Sequence, residues 1–211
     1  MKEIRYFFRV VLGSICLAVI LNGCVSVPNS PVSRFYMLQS EEGNKTAKKI
    51  DSVSGTLIGI GPVQIPEYLD RPQIVTKNQD NTLNFAEFDR WGESIGLAVE
   101  RTIREDLSQI LPQTQLTIYP WNPSIPVKYQ VMVEVVQLDS ILNKDLIFIV
   151  QWTVMDVQSM KKIIMKRSEF RQPIVPQNYA GLAETLSLAC ESLSREIAEA
   201  FVVYSKDVAP K

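Results

Sequence analysis

The chain has 211 residues, with 22 Lys and Arg against 23 Asp and Glu, a formal net charge of −1, three cysteines and no histidine. That balance lacks the basic footprint of a nucleic-acid binder. The absence of histidine removes Ser-His-Asp and Cys-His nucleophilic systems together with the commonest metal ligand, while the length suffices for one domain with a sizeable core.

Lys2, Arg5 and Arg9 precede an apolar stretch from Val10 to Leu21. A charged start followed by roughly 12 apolar residues makes a secretory signal, because a permanent span needs about 20. Leu21-Asn22-Gly23-Cys24 then resembles the lipobox of bacterial lipoproteins, with a branched apolar residue three places before the cysteine and a small one directly before it. Asn22 stands where that pattern usually carries a small or apolar residue. The resemblance implies cleavage ahead of Cys24 and acylation of its thiol and freed amine by palmitate-like chains; no other cofactor and no metal is expected. A buried methylene contributes about 0.8 kcal/mol and a single chain binds only reversibly, so several chains are needed for a lasting anchor. Val25 is not the aspartate that resembles an inner-membrane retention signal, so the expected location is the periplasmic face of the outer membrane. The expected plan is a signal peptide over residues 1–23, a lipidated tether over 24–33 and one domain over 34–211. Of the cysteines, Cys190 alone is left for the folded domain, beside an apolar helical face, where it reads as packing.

The tether "VSVPNSPVS" (25–33) is polar and proline-bearing, which favours extended chain. "RFYML" (34–38) reads as a short strand and the charged stretch 39–55 as a loop. "TLIGIGPVQIP" (56–66) is strand-like, with Pro62 predicting an edge position or a bulge. "QIVTK", the turn residues "NQDN" and "TLNFAEF" predict a hairpin. Ile95, Val99, Ile103, Leu107 and Ile110 recur at helical spacing in a segment spanning Asp89 to Leu111, with Asp89 as the expected N-cap and Pro112 as the stop. "QLTIYP" follows as a strand. Tyr129, Val131, Val133 and Val135 alternate on one face of a strand, and Leu146, Phe148, Val150, Trp152 and Val154 do so on the next. With "KKIIMKRSEF" they predict an antiparallel meander. A long amphipathic helix runs from about Leu182 to Tyr204. The expected fold class is α+β, a largely antiparallel sheet with two long amphipathic helices packed on one face.

"IGPVQIPEYLDRPQIV" followed by "LNFAEFDRWGESI" resembles the ABC-type transport auxiliary lipoproteins, the PqiC (YmbA) family. The similarity extends to "RFYML", "VQLDS", "FIVQWTVMD" and the C-terminal helix, and its most specific element is Pro66 to Pro72 with the downstream pair Arg90-Trp91. It implies a non-enzymatic, outer-membrane-anchored subunit of an intermembrane lipid transport system that supports envelope integrity. The implied partner is a PqiB-like, periplasm-spanning protein with MCE domains; self-association into a ring is compatible with the pattern without being required by it. Pro66 and Pro72 stiffen a loop that holds Tyr68, Leu69, Asp70 and Arg71, which makes these four, with Arg90, Trp91 and the proline-flanked Trp121, the candidate partner-binding residues. The architectural alternative pairs Asp70 with Arg71 or Arg90, sinks Tyr68 and Leu69 into the core, uses Trp91 to seal the helix start and Trp121 to cap a sheet edge. A second functional reading makes the domain itself a periplasmic lipid carrier, which requires an apolar cavity. No catalytic residues are assigned.

Overall fold

The computed structural model describes residues 31–40 and 55–208, so the expected signal peptide, Cys24, most of the expected tether and nearly all of the expected 39–55 loop lie outside the described residues. Among the described residues, eight strands form two sheets. Strands β1 (Arg34–Tyr36), β3 (Gln73–Lys77) and β4 (Leu83–Trp91) make a small sheet in the order β1-β4-β3. Strands β2 (Leu57–Gln64), β5 (Gln115–Ile118), β6 (Tyr129–Ser140), β7 (Asp145–Asp156) and β8 (Lys161–Pro173) make the larger one, in the order β5-β2-β6-β7-β8. Helix α1 (Ile95–Ile110) lies against β2 and β5, and α2 (Tyr179–Val208) against β7, β8 and α1. Among the described residues, no helix is long and apolar enough to cross a membrane.

The α+β class and the β6-β7-β8 meander agree with the sequence pattern. Register aligns Val131 with Val154, Val133 with Trp152 and Val135 with Val150, and all six are essentially buried. Alternate residues point to the same face of a strand, so this row forms the floor on which both helices sit. Leu186, Leu193 and Ile197 of α2 and Ile103 and Leu107 of α1 close the core above it. Cys190 is buried there too, and burial pushes its thiol far up, keeping it protonated.

Three expectations change. The sheet is divided in two, and its pairing is less uniform than the meander suggests: β2 runs parallel to both β5 and β6, and β1 parallel to β4. Pro62 marks a bulge rather than an edge, because β2 has a neighbour on each side and its register with β6 shifts between Ile60 and Val63. Asp89 caps no helix. It lies in β4, where Arg34 Nε and Nη2 donate to its two carboxylate oxygens at 2.8 and 2.9 Å and the Tyr36 hydroxyl donates at 2.7 Å. Burial pushes the Asp89 carboxyl up, but these donors and the Arg34 charge outweigh it and hold its pKa below the usual range. The chain stays extended through Trp91, and Ser94 takes the N-cap position of α1.

Candidate functional site

The Pro66 to Pro72 loop is fixed from both ends. Pro66 sits at φ −57° and ψ 139°, an extended geometry its ring favours, and Glu67–Leu69 form one turn of 3-10 helix in which the Leu69 and Asp70 amides donate to Pro66 and Glu67 carbonyls. Asp70, at φ −78° and ψ 69°, is the centre of an inverse γ-turn closed by the Arg71 amide on the Leu69 carbonyl at 2.8 Å. The Trp91 amide then donates to the Pro72 carbonyl at 2.8 Å, which ties the loop's exit to the end of β4. Neither end is free to swing.

This geometry separates the loop and β4 candidates into buried, half-buried and exposed residues. Leu69 and Trp91 are buried and serve the core. Tyr68 is half-buried, with its hydroxyl at the Leu138 backbone near Asp139; burial raises its pKa and the field of Asp139 adds to that. Asp70 and Arg71 are exposed. Among the described residues Asp70 forms no ion pair; it accepts from the Ser94 hydroxyl at 3.4 Å, which links the loop to the start of α1 and places a carboxylate where the helix dipole favours one. Arg71 lies over the Phe85 ring, 4.4 Å from its centroid, and Phe85 is itself 44% exposed. Cation–π contacts of this kind orient a guanidinium without neutralising it. Arg90 is half-buried next to Trp91, and its Nε is buried without a hydrogen-bond partner among the described residues.

Trp121 lies elsewhere. Its indole rests on Gly59 of β2, so closely that a Cβ there would overlap it, and meets Tyr119 edge-to-face at 5.7 Å. Gly59 pairs with Gln130 of β6, on the face of the large sheet turned away from the helices, so Trp121 shields that face rather than joining the Pro66 to Pro72 loop. A cleft of about 910 Å³ opens between Phe35–Ser40, Arg101 and Glu105 of α1, and Ala180–Ser187 of α2. Arg101 is already engaged there, donating to Glu93, Glu105 and the Leu38 carbonyl at 2.8–3.0 Å. Among the described residues no group of His, Cys, Asp and Glu could hold a metal ion.

Sequence reasoning missed Phe85, the Arg34–Asp89–Tyr36 cluster and Glu100. The aromatic-bearing "NFAEF" was a visible signal for the first; the others depend on contacts between residues dozens of positions apart. Glu100 is buried on α1 directly above Gly61, where it accepts from the Val63 amide at 3.3 Å.

Solved structures that share this fold include two that cover most of the chain. One, titled an uncharacterized protein, is 15% identical with a TM-score of 0.66, covering 81% of this chain and 99% of its own. The other, from Xanthomonas campestris, is 10% identical with a TM-score of 0.67, covering 83% of this chain and 98% of its own. The curated proteins contain no match. The family model described as the ABC-type transport auxiliary lipoprotein component, a transport component rather than an enzyme family, matches residues 36–198. That span runs from the end of β1 into the second half of α2 and takes in the whole loop and strands β2 to β8, and on it the chain belongs to the ABC-type transport auxiliary lipoprotein family.

Proposed function

We propose that this chain is a non-enzymatic, outer-membrane-anchored subunit of a Pqi-type intermembrane lipid transport system, and that it docks a periplasm-spanning MCE-domain partner. The plan is a signal peptide (1–23), a tether acylated at Cys24 (24–33) and a docking domain (34–211). Anchoring raises the effective concentration of the domain at the membrane, so a modest contact suffices to hold the partner. The observation that carries the reading is the braced loop. It holds Asp70 and Arg71 outward in low-entropy form, while Leu69 and Trp91 lock its base into the core. Tyr68 and Arg90 support that surface through packing, whereas Trp121 stands apart from it against Gly59 and Tyr119.

Affinity purification of the full-length lipidated chain from solubilised envelopes, with mass spectrometry of proteins and lipids, tests the proposal. An MCE-domain protein at fixed stoichiometry, lost on Arg71→Glu, is the expected result. Stoichiometric lipid without a protein partner would overturn docking in favour of the carrier reading.

A further inference from the structure

The large sheet ends on β8, thirteen residues long, with β7 on one side and no strand on the other among the described residues. The remaining edge strands are far shorter: β1 has three residues, β3 five and β5 four. Natural proteins blunt exposed edges by keeping them short or by adding charge, a bulge or proline. A single sign repels a second copy of the same edge and equally suits that edge to a strand of opposite charge. On β8 the sign is nearly uniform, with Lys161, Lys162, Lys166, Arg167 and Arg171 against the single acid Glu169, all exposed, in a chain of net charge −1.

The cations are ordered by the sheet. Register sets Arg167 opposite Gln151 and Arg171 opposite Ile147, on the face away from the helices, with Glu169 between them opposite Ile149. Lys166, opposite Trp152, is drawn to Glu196 of α2 at 3.3 Å, and Arg171 comes within 3.8 Å of Glu169. Lys161, Lys162 and Arg167 form no ion pair among the described residues. The middle of the strand is also pinned: buried Ser168 accepts from Trp152 Nε1 at 3.0 Å and donates to Glu196 at 2.6 Å. A held edge is a template that loses little freedom when another strand joins it.

We propose that β8 is a docking edge that takes an extended acidic segment of a protein partner as a sixth strand of the large sheet. Main-chain hydrogen bonds would supply affinity and the cations the choice of segment. Arg167 and Arg171 are four residues apart, about 13 Å along a strand. They therefore select two carboxylates at the same spacing, while Glu169 disfavours a third acid midway. The inference deepens the docking reading by naming the partner's chemistry, and rests on it for the existence of a protein partner.

The test uses the full-length lipidated chain in neutral detergent micelles and a synthetic peptide of valine and threonine with glutamates four residues apart. Hydrogen exchange over residues 161–173 reads strand addition. The expected result is slowed exchange on β8, with binding weakened about tenfold or more by 0.5 M salt, by Arg167→Glu with Arg171→Glu, or by N-methylation of alternate peptide amides. Unchanged exchange overturns the proposal, as does equal binding of a peptide with lysines in place of the glutamates. Protection by phosphatidylglycerol micelles without the peptide would make the surface a lipid site, and protection that depends on protein concentration alone would make it a contact between copies; either overturns it. If the partner co-purifies equally with the doubly substituted chain, docking stands and the edge proposal falls. If the peptide protects β8 and no partner co-purifies, the edge stands and the docking reading falls.

Discussion

Glu100→Gln should stabilise the protein at neutral pH, and the gain should vanish in acid. Glu100 is 4% exposed; its Oε2 accepts one long hydrogen bond from Val63, and its Oε1 is buried with no hydrogen-bond partner among the described residues. It forms no ion pair among the described residues, and burial pushes its pKa up, only partly offset by the Val63 amide. The folded state therefore binds this proton more tightly than the unfolded chain does. Stability is full below the ordinary carboxylate pKa and falls as pH rises through the raised value, after which the loss is constant. Each unit of upward shift removes about 1.4 kcal/mol, and a buried polar atom without a partner costs about 1–3 kcal/mol. Glutamine keeps an acceptor for Val63 but buries an NH2 group above Gly61, so the lower end applies: a gain of about 1 kcal/mol at pH 7.5, or about 2–4 °C in Tm for a domain of this size. Thermal unfolding followed by circular dichroism at pH 7.5, 6.0 and 4.5 measures it. A variant less stable than the parent at pH 7.5, or a gap of the same size at pH 4.5, would refute the reasoning.

Asp89 has the opposite sign. Its depressed pKa contributes stability that is present above the ordinary carboxylate value and lost as pH falls, so Asp89→Asn should cost about 1–2 kcal/mol at pH 7, with the difference narrowing toward pH 3 in the same unfolding assay. Trp121→Ala should lower Tm by about 2–6 °C by uncovering Gly59 and leaving Tyr119 without its edge-to-face partner, with the fold retained by circular dichroism; an unchanged Tm would show that the indole is not seated there. Cys24→Ala should leave the domain folded but release it from membranes on fractionation, and full transport by that variant would sink the anchored-dock mechanism.

Local pattern carried the parts of the fold whose partners are close in sequence. The alternation of Val131, Val133 and Val135 with Phe148, Val150 and Trp152 was enough for the meander, and the spacing from Leu182 to Ala200 for α2. What stayed hidden depends on distant pairing. Asp89 has the composition of a helix cap, yet Arg34, 55 residues earlier, takes its carboxylate and keeps β4 extended. Pro62 is tolerated inside a sheet because the bulge at Gly61, at φ +104°, absorbs it under Glu100. The candidate loop was legible as a stiff element between two prolines. Which of its side chains face outward was not, since the 3-10 turn that buries Leu69 and exposes Asp70 is set by its junction with β4. The basic run of β8 is plain in the sequence, but only the strand order makes it an edge.

The chain enters the folded domain through Arg34, and the first side chain it meets is the clasp of Arg34 and Tyr36 on Asp89. Strand β1 lies parallel to β4, whose last residue, Trp91, is also bonded to Pro72 at the end of the candidate loop. Any pull on the segment ahead of Arg34 is thus delivered as shear to the small sheet, and through β4 to the loop. The five-stranded sheet is spared until β1 has let go. Under the proposed plan, a partner gripping Arg71 and a tether drawn from Arg34 would load the same three strands, so the load would fall on the small sheet before the large one.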